Sequence, residues 1–253
     1  MTARSLALVL LPALGCATAT HHHRPTESGL EVHTLTLDHS NAHLVVTADG
    51  AFLVDSATPS RVDDLVEAIR DAGVEPAELR AVILTHGHAD HAGGAKTLHE
   101  RFGVPIVAGV GDRAMLAAGA NELLCPTDWI ARKRLETDQN LRFESTVADR
   151  WVAAPTSLAR LTGIRGRVLP MAGHTEGSLV VVAGEVAFVG DLFRGSIVGR
   201  TATTHFYICD LDDNLEDLRT LLEVAPDATT FFTGHFGPVS RAEVEALIIA
   251  RGR

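Results

Sequence analysis

Four potential metal ligands fall within six residues of this chain: His86, His88, Asp90 and His91, in the run Thr85-His86-Gly87-His88-Ala89-Asp90-His91. Neutral imidazole and carboxylate are the non-thiolate ligands that zinc prefers. The cluster follows Arg80 to Thr85, a short apolar run of the kind that forms a strand buried on both faces. Were that strand to continue, His86 and His88 would share one face while His91 pointed away. A loop at the strand end lets all of them converge, and Gly87 and Ala89 leave the backbone room to do so. Taken singly, Asp90 reads as the cap of a following helix and each histidine as an exposed loop residue. Taken as a set, they read as a metal site.

Thr-His-x-His-x-Asp-His after a buried strand resembles the signature of the metallo-β-lactamase superfamily. The rest of that family's pattern follows in order: Phe52-Leu53-Val54-Asp55 is similar to its early strand ending in Asp, Gly173-His174-Thr175 to its second ligand motif, Gly190-Asp191 to its third and Gly234-His235 to its last. The resemblance runs from Asn41 to Gly237. It implies an α+β fold, a layered αββα sandwich of two mixed β-sheets face to face with helices on the outer faces. It implies that His86, His88 and His174 bind one metal ion, that Asp90, His91 and His235 bind a second, and that Asp191 bridges them. The implied cofactor is two zinc ions, with iron or manganese as alternatives. Asp90 would also be catalytic, orienting the nucleophile and shuttling its proton. Asp55 would hold the histidine loop through hydrogen bonds rather than ligate, and Thr85 would play a similar part. His33, His39, His43, His99 and His205 match no ligand position and receive no role, although His205 follows Asp191 closely enough to line the mouth of a site.

Two cations held about 3.5 to 4 Å apart lower the pKa of a shared water toward 7. The expected reaction is hydrolysis of a small ester, thioester, lactone or lactam by a metal-bridging hydroxide. Within the superfamily, His88 departs from the flavodiiron branch, which carries Glu there, and Asp191 from the thiolate-ligand β-lactamases, which carry Cys. Gly190-Asp191-Leu192-Phe193 is most similar to the glyoxalase II and lactonase-like branches. Only 18 residues follow His235, an expectation against the C-terminal helical domain that binds glutathione in glyoxalase II. The alternatives are a β-lactamase proper, a mononuclear iron enzyme of the persulfide dioxygenase kind using His86, His174 and Asp191, and a metal-binding lipoprotein without turnover.

The frame that must position these residues is partly visible in the hydrophobic pattern. Strands are expected at Val32 to Leu37, His43 to Thr47 and Ala51 to Asp55, with Asp49-Gly50 turning the last two. Ser60 is expected to cap a helix from Arg61 to Ala72 that Gly73 stops. Helix then follows at Ala92 to Phe102 and strand at Val104 to Ala108, an alternation that points to layered α/β architecture. Residues 111 to 160 show little pattern beyond helical stretches at Arg113 to Ala118 and Trp129 to Leu135, and read as an insertion over the site. Strands at Val168 to Ala172, Ser178 to Ala183, Val186 to Val189 and Thr229 to Thr233 and helices at Asn214 to Val224 and Arg241 to Ala250 complete the domain.

With 253 residues, 46% hydrophobic and 21% charged, the chain reads as one globular domain, and no linker or repeat divides it. Its net charge of -10 and the lack of a Lys/Arg cluster argue against nucleic acid and leave a small molecule as the expected partner. Arg4 and the apolar run Leu6 to Leu14 read as a signal peptide over residues 1–15, too short for a permanent span. Ala13-Leu14-Gly15-Cys16 resembles a lipobox, so a lipid on Cys16 is the one expected membrane contact and residues 16–30 a tether to a hydrolase domain over 31–253. The alternative is cleavage after Ala17-Thr18-Ala19, which would release a soluble protein. Either way the domain is exported, facing the periplasm when anchored, otherwise soluble periplasmic or secreted. His21, His22 and His23 read as part of the tether, where adjacent histidines on a flexible tail chelate weakly. Cys125 and Cys209 are free to pair in an oxidising compartment, but their spacing does not show that they do. Nothing in the sequence speaks to oligomeric state.

Overall fold

A computed structural model describes residues 20–252. The signal peptide, Cys16 and the lipobox fall outside the described residues. Seven strands form a first sheet in chain order: β1 (Thr20–Pro25), β2 (Glu31–Leu37), β3 (Ser40–Thr47), β4 (Gly50–Val54), β5 (Leu79–Ile83), β6 (Ile106–Gly109) and β7 (Arg150–Val152). β1 to β4 make an antiparallel meander, and β4 to β7 run parallel. The second sheet takes β8 (Thr156–Ser157), β9 (Arg167–Pro170), β10 (Leu179–Ala183), β11 (Val186–Gly190), β14 (Thr230–Thr233) and β15 (Val239–Ser240), with the small hairpin of β12 (Arg194–Gly195) and β13 (Ala202–Thr203) beside it. Its β11–β14 pair is parallel and the rest antiparallel, so both sheets are mixed.

Alternation along the strands assigns each side chain to one of three apolar layers. Phe52, Val54 and Ile83 of the first sheet meet Val181, Phe188 and Phe232 of the second in the central layer. On the outer face of the first sheet, Leu44, Leu53 and Val82 pack against α1 (Val62–Asp71) and α3 (Ala95–Phe102) through Leu65, Ile69 and Leu98. On the outer face of the second, Val180, Ala187 and Phe231 meet α7 (Leu211–Val224) and α8 (Arg241–Arg251). The order helix, sheet, sheet, helix is the expected αββα sandwich. The remaining helices are α2 (Ala89–Ala92), α4 (Arg113–Ala118), α5 (Trp129–Gln139) and α6 (Leu158–Thr162).

Three expectations need correction. Residues 20–25, assigned to a tether, form an edge strand paired with β2 in the register His23 to His33. All six of its residues are exposed, so no apolar alternation could announce it. Ser60 does not cap α1: it lies in a 3-10 turn over Pro59–Arg61, and α1 starts at Val62 with Asp63 and Asp64 in its first turn, where carboxylates meet the positive end of the helix. The single helix expected at Ala92 to Phe102 is two, α2 and α3, parted at Gly93-Gly94. A Cβ on Gly94 would sit 2.3 Å from the Ser56 carbonyl oxygen, so the break lets this backbone lie against the β4 exit loop.

Candidate metal centre

The buried strands end together, and the chemistry sits at their ends. Asp55 follows β4, Thr85 and His86 follow β5, Asp191 follows β11, and His235 follows β14. His174 lies between β9 and β10. In α/β sheets the crevice beyond the carboxyl ends of the strands is the usual ligand site.

Asp191 Oδ2 is the hub. Nε2 of His205, His235, His91, His86 and His174 lie 3.0, 3.2, 3.4, 3.7 and 3.8 Å from it. Asp90 Oδ2 lies 3.4 Å from His235 Nε2 and 3.6 Å from His91 Nε2. His88 joins through its Nδ1, 3.1 Å from His174 Nε2. Thus all seven residues singled out as ligands converge, in the groups His86-His88-His174, His86-His91-Asp191 and Asp90-His91-His235.

The outer nitrogens are occupied, which aims the inner ones. His91 Nδ1 donates to Asp55 Oδ2 (2.9 Å), His235 Nδ1 to the His39 carbonyl (2.6 Å) and His174 Nδ1 to the Tyr207 carbonyl (2.9 Å). His86 Nδ1 donates to Thr85 Oγ1 (3.1 Å), which donates in turn to Asp55 Oδ2 (2.8 Å), while the Thr85 amide donates to Asp55 Oδ1 (2.7 Å). Ring nitrogens held in this way fix the tautomer that leaves Nε2 free for a metal. His86 Nε2, His205 Nε2 and Asp191 Oδ1 are buried without a hydrogen-bond partner. Unsatisfied buried polar atoms are costly, and a divalent cation is what this donor set fits. Close approach is built in at Gly234, where a Cβ would lie 2.1 Å from Asp191 Oδ1, and at Gly190, where it would lie 2.5 Å from Thr85 Oγ1.

Protonation divides the site. Burial, reinforced by neighbouring imidazoles, holds His86 and His174 well below the usual histidine range, and burial takes His88 down to about 4. These three present neutral lone pairs at pH 7. Burial alone would lower His91 and His235 too, but Asp191 and Asp90 face both, and they are raised. Burial would raise Asp90, yet His91 and His235 outweigh it and hold the carboxyl at about 2.

Four contributors carry no sequence motif. Asp112, buried after β6, accepts from the Gly87 amide (2.7 Å) and Thr175 Oγ1 (3.0 Å) on Oδ2 and from the Gly177 amide (2.9 Å) on Oδ1, tying the His86–His88 loop to the His174 loop. Burial pushes its carboxyl up to about 6. His43 donates from Nε2 to the Thr233 carbonyl (3.2 Å) and Asn41 Nδ2 to the carbonyls of Thr233 (2.9 Å) and Phe236 (2.8 Å), which clamps the His235 loop onto β3. His205 is the fourth. Its Nδ1 lies against the Tyr207 amide (3.3 Å) and carbonyl (3.4 Å), and its Nε2 is 3.0 Å from Asp191 Oδ2.

The region read as an insertion forms one wall of a cavity of about 180 Å³ over this centre. Leu124, Ile130 and Leu141 from it face Phe206 and Phe236, and Asp90, Asp191 and His235 form the floor. Arg134 forks onto Asp138 (2.9 and 3.1 Å), which also accepts from Tyr207 Oη (2.7 Å). Cys125 and Cys209 are disulfide-bonded, and the Thr127 amide bonds the Phe206 carbonyl (2.8 Å), so the wall is stapled to the segment carrying His205 and Tyr207.

The profile of the metallo-beta-lactamase superfamily matches residues 35–235 of this chain. Over 165 residues the chain is 33% identical to the hydroxyacylglutathione hydrolase GloC of Haemophilus influenzae, which covers 62% of this chain and 68% of that protein. A beta-lactamase hydrolase-like protein of Xylella fastidiosa is 30% identical over 157 residues, 61% of this chain but 32% of the relative. BJP-1, a subclass B3 metallo-beta-lactamase of Bradyrhizobium japonicum, shares the fold with a TM-score of 0.62 over 90% of each chain at 18% identity. With its buried histidine and aspartate clusters at the shared strand ends, the chain belongs to the metallo-beta-lactamase superfamily and is a metal-dependent hydrolase.

Proposed function

We propose that the protein is a dinuclear zinc hydrolase of small acyl substrates, namely esters, thioesters, lactones or lactams. The observation that carries this reading is the convergence of five imidazole Nε2 atoms on Asp191 Oδ2, with His86 Nε2 buried without a hydrogen-bond partner. His86, His88 and His174 would hold one ion, Asp90, His91 and His235 the other, with Asp191 between them. Bound there, the ions would supply Lewis acidity to a water nucleophile and to the scissile carbonyl.

The chain's own groups do the rest. Asp90 stays ionised at neutral pH and lines the cavity, so its carboxylate can take the proton of the attacking water and return it to the leaving group. His205 Nε2 holds Asp191 from the cavity side. The apolar walls seat an acyl chain and exclude bulk water, which strengthens every charge interaction on the floor. Tyr207 is no acid here: burial and then Asp138 raise its hydroxyl, whose proton is given to Asp138. Likeness to a hydroxyacylglutathione hydrolase favours a thioester within the proposed class. The apolar leader, the lipobox-like Cys16 and the Cys125–Cys209 bridge together support an exported, periplasm-facing location. Labelled palmitate incorporated by the native chain and absent from Cys16→Ser would support the lipid anchor.

Purified protein should turn over at least one member of an ester, thioester, lactone and lactam panel, lose that activity to EDTA and regain it with zinc. Activity unchanged in His86→Ala, or no turnover across the panel with zinc bound, would overturn the assignment.

A further inference from the structure

A second cluster of histidines lies on the β1–β2 ladder and uses none of the residues above. His23 stands opposite His33 and His21 opposite Leu35. Because side chains alternate along a strand, His21, His23, Glu31 and His33 share one face, and His22, opposite Thr34, takes the other. The His23 ring stacks on His33 with centroids 4.6 Å apart. Glu31 Oε2 lies 3.6 Å from His23 Nε2 and 3.9 Å from His33 Nε2. His33 is only 7% exposed, and its Nε2 is buried without a hydrogen-bond partner. Its Nδ1 is 2.7 Å from His21 Nε2. When Nδ1 carries the proton and donates it to His21, the Nε2 lone pair points at the Glu31 carboxylate. Two acceptors then face each other across a gap that a cation resolves.

We propose that His23, Glu31 and His33 form a separate binding site for a zinc-like divalent cation, with His21 holding His33 in the ligating tautomer. Two imidazoles and a carboxylate match the preferences of zinc, with one position left for water. His21 plays the outer part that carboxylates and carbonyls play behind metal-binding histidines elsewhere. A cation here joins β1 to β2 through side chains as well as backbone, and so fixes the edge strand where the chain enters the domain.

The test is equilibrium dialysis of tag-free protein against zinc with metal counted per chain, for the native protein and for His23→Ala, Glu31→Gln and His22→Ala. Native protein should hold one more zinc than His23→Ala, Glu31→Gln should bind that zinc at least tenfold more weakly, and His22→Ala should match the native count. Positions 23 and 31 are exposed, so the metal-free variants should melt with the metal-free native protein, and the zinc-loaded variants should keep its hydrolytic activity. Equal zinc counts in native protein and His23→Ala would overturn the proposal. So would a loss in His22→Ala as large as in His23→Ala, which is the behaviour of an unstructured histidine tail. Since the readout is a difference between variants, it does not depend on how many ions the catalytic centre holds.

Discussion

Breaking the Cys125–Cys209 bridge should lower stability far more than it disturbs the chemistry. The bridge closes a loop with a sequence separation of 84. Loop-closure entropy puts its contribution at about 4.5 kcal/mol, near the top of the range seen on removing native disulfides. A domain of this size loses roughly 2–4 °C of Tm per kcal/mol, so Cys125→Ser/Cys209→Ser should melt roughly 9–18 °C below the native protein. The joined segments keep other ties: the Thr127 amide to the Phe206 carbonyl (2.8 Å), the Ile208 amide to the Cys125 carbonyl (3.0 Å) and Thr127 Oγ1 to the His205 carbonyl (2.6 Å). His205 and Tyr207 should therefore stay in place well below the melt. Calorimetry of the zinc-loaded double mutant, with dithiothreitol-treated native protein as a second route, measures the first effect, and zinc content with kcat at 25 °C the second. A drop under about 2 °C would refute the loop argument. Loss of zinc at 25 °C would refute the claim that these hydrogen bonds hold the His205 segment without the bridge.

Other consequences follow from groups around the centre. His205→Ala should reduce zinc affinity or kcat by about 10–100-fold without a comparable loss of melting temperature, because it removes a contact to Asp191 rather than core packing; unchanged kinetics and zinc binding would remove its role. Asp112→Asn puts an amide where a carboxylate accepts three hydrogen bonds, and should cost on the order of 1–3 kcal/mol while loosening both histidine loops, measured by denaturation and zinc titration. Metal-free protein should be most stable near pH 6.5. Below it, His86, His88 and His174, with lowered pKa values, bind more protons when unfolded, so stability rises with pH from about 4; above it, the raised His91 and His235 lose the protons that stabilise the folded state. Zinc displaces the protons of His91 and His235, so the decline above pH 6.5 should vanish when the metal is bound. Thermal melts from pH 4 to 9 with and without zinc test this, and a metal-free melting temperature that climbs steadily to pH 9 contradicts it.

The parts of the fold that can be read in the sequence are those whose burial is one-sided or complete. Val62, Leu65, Val66 and Ile69 recur at helical spacing because one face of α1 meets the first sheet, and Ala81, Val82 and Ile83 form a solid apolar run because β5 is covered on both faces. The ligand run at the end of β5 was legible for the same reason, since the buried strand fixes where the loop begins. β1 left no trace because both its faces are exposed. Asp112 was illegible, and His205 legible only as a residue near the mouth, for another reason: their roles arise where distant segments meet, Asp112 with Gly87 and Gly177, His205 with Asp191 and the Cys125 segment. Within the chain each stands beside ordinary loop residues. The pairing of Cys125 with Cys209 depends in the same way on a meeting that no local pattern records.

The account stands most directly on stepwise zinc reconstitution of metal-free protein, with bound zinc and initial hydrolysis rate measured in the same samples and His23→Ala used to silence the β1–β2 cluster. Two ions shared by the groups around Asp191 predict that the rate rises fully only as the second equivalent binds, and that Asp191→Ala never reaches it. Full turnover with one equivalent, or turnover by the metal-free protein, would contradict the two-ion centre.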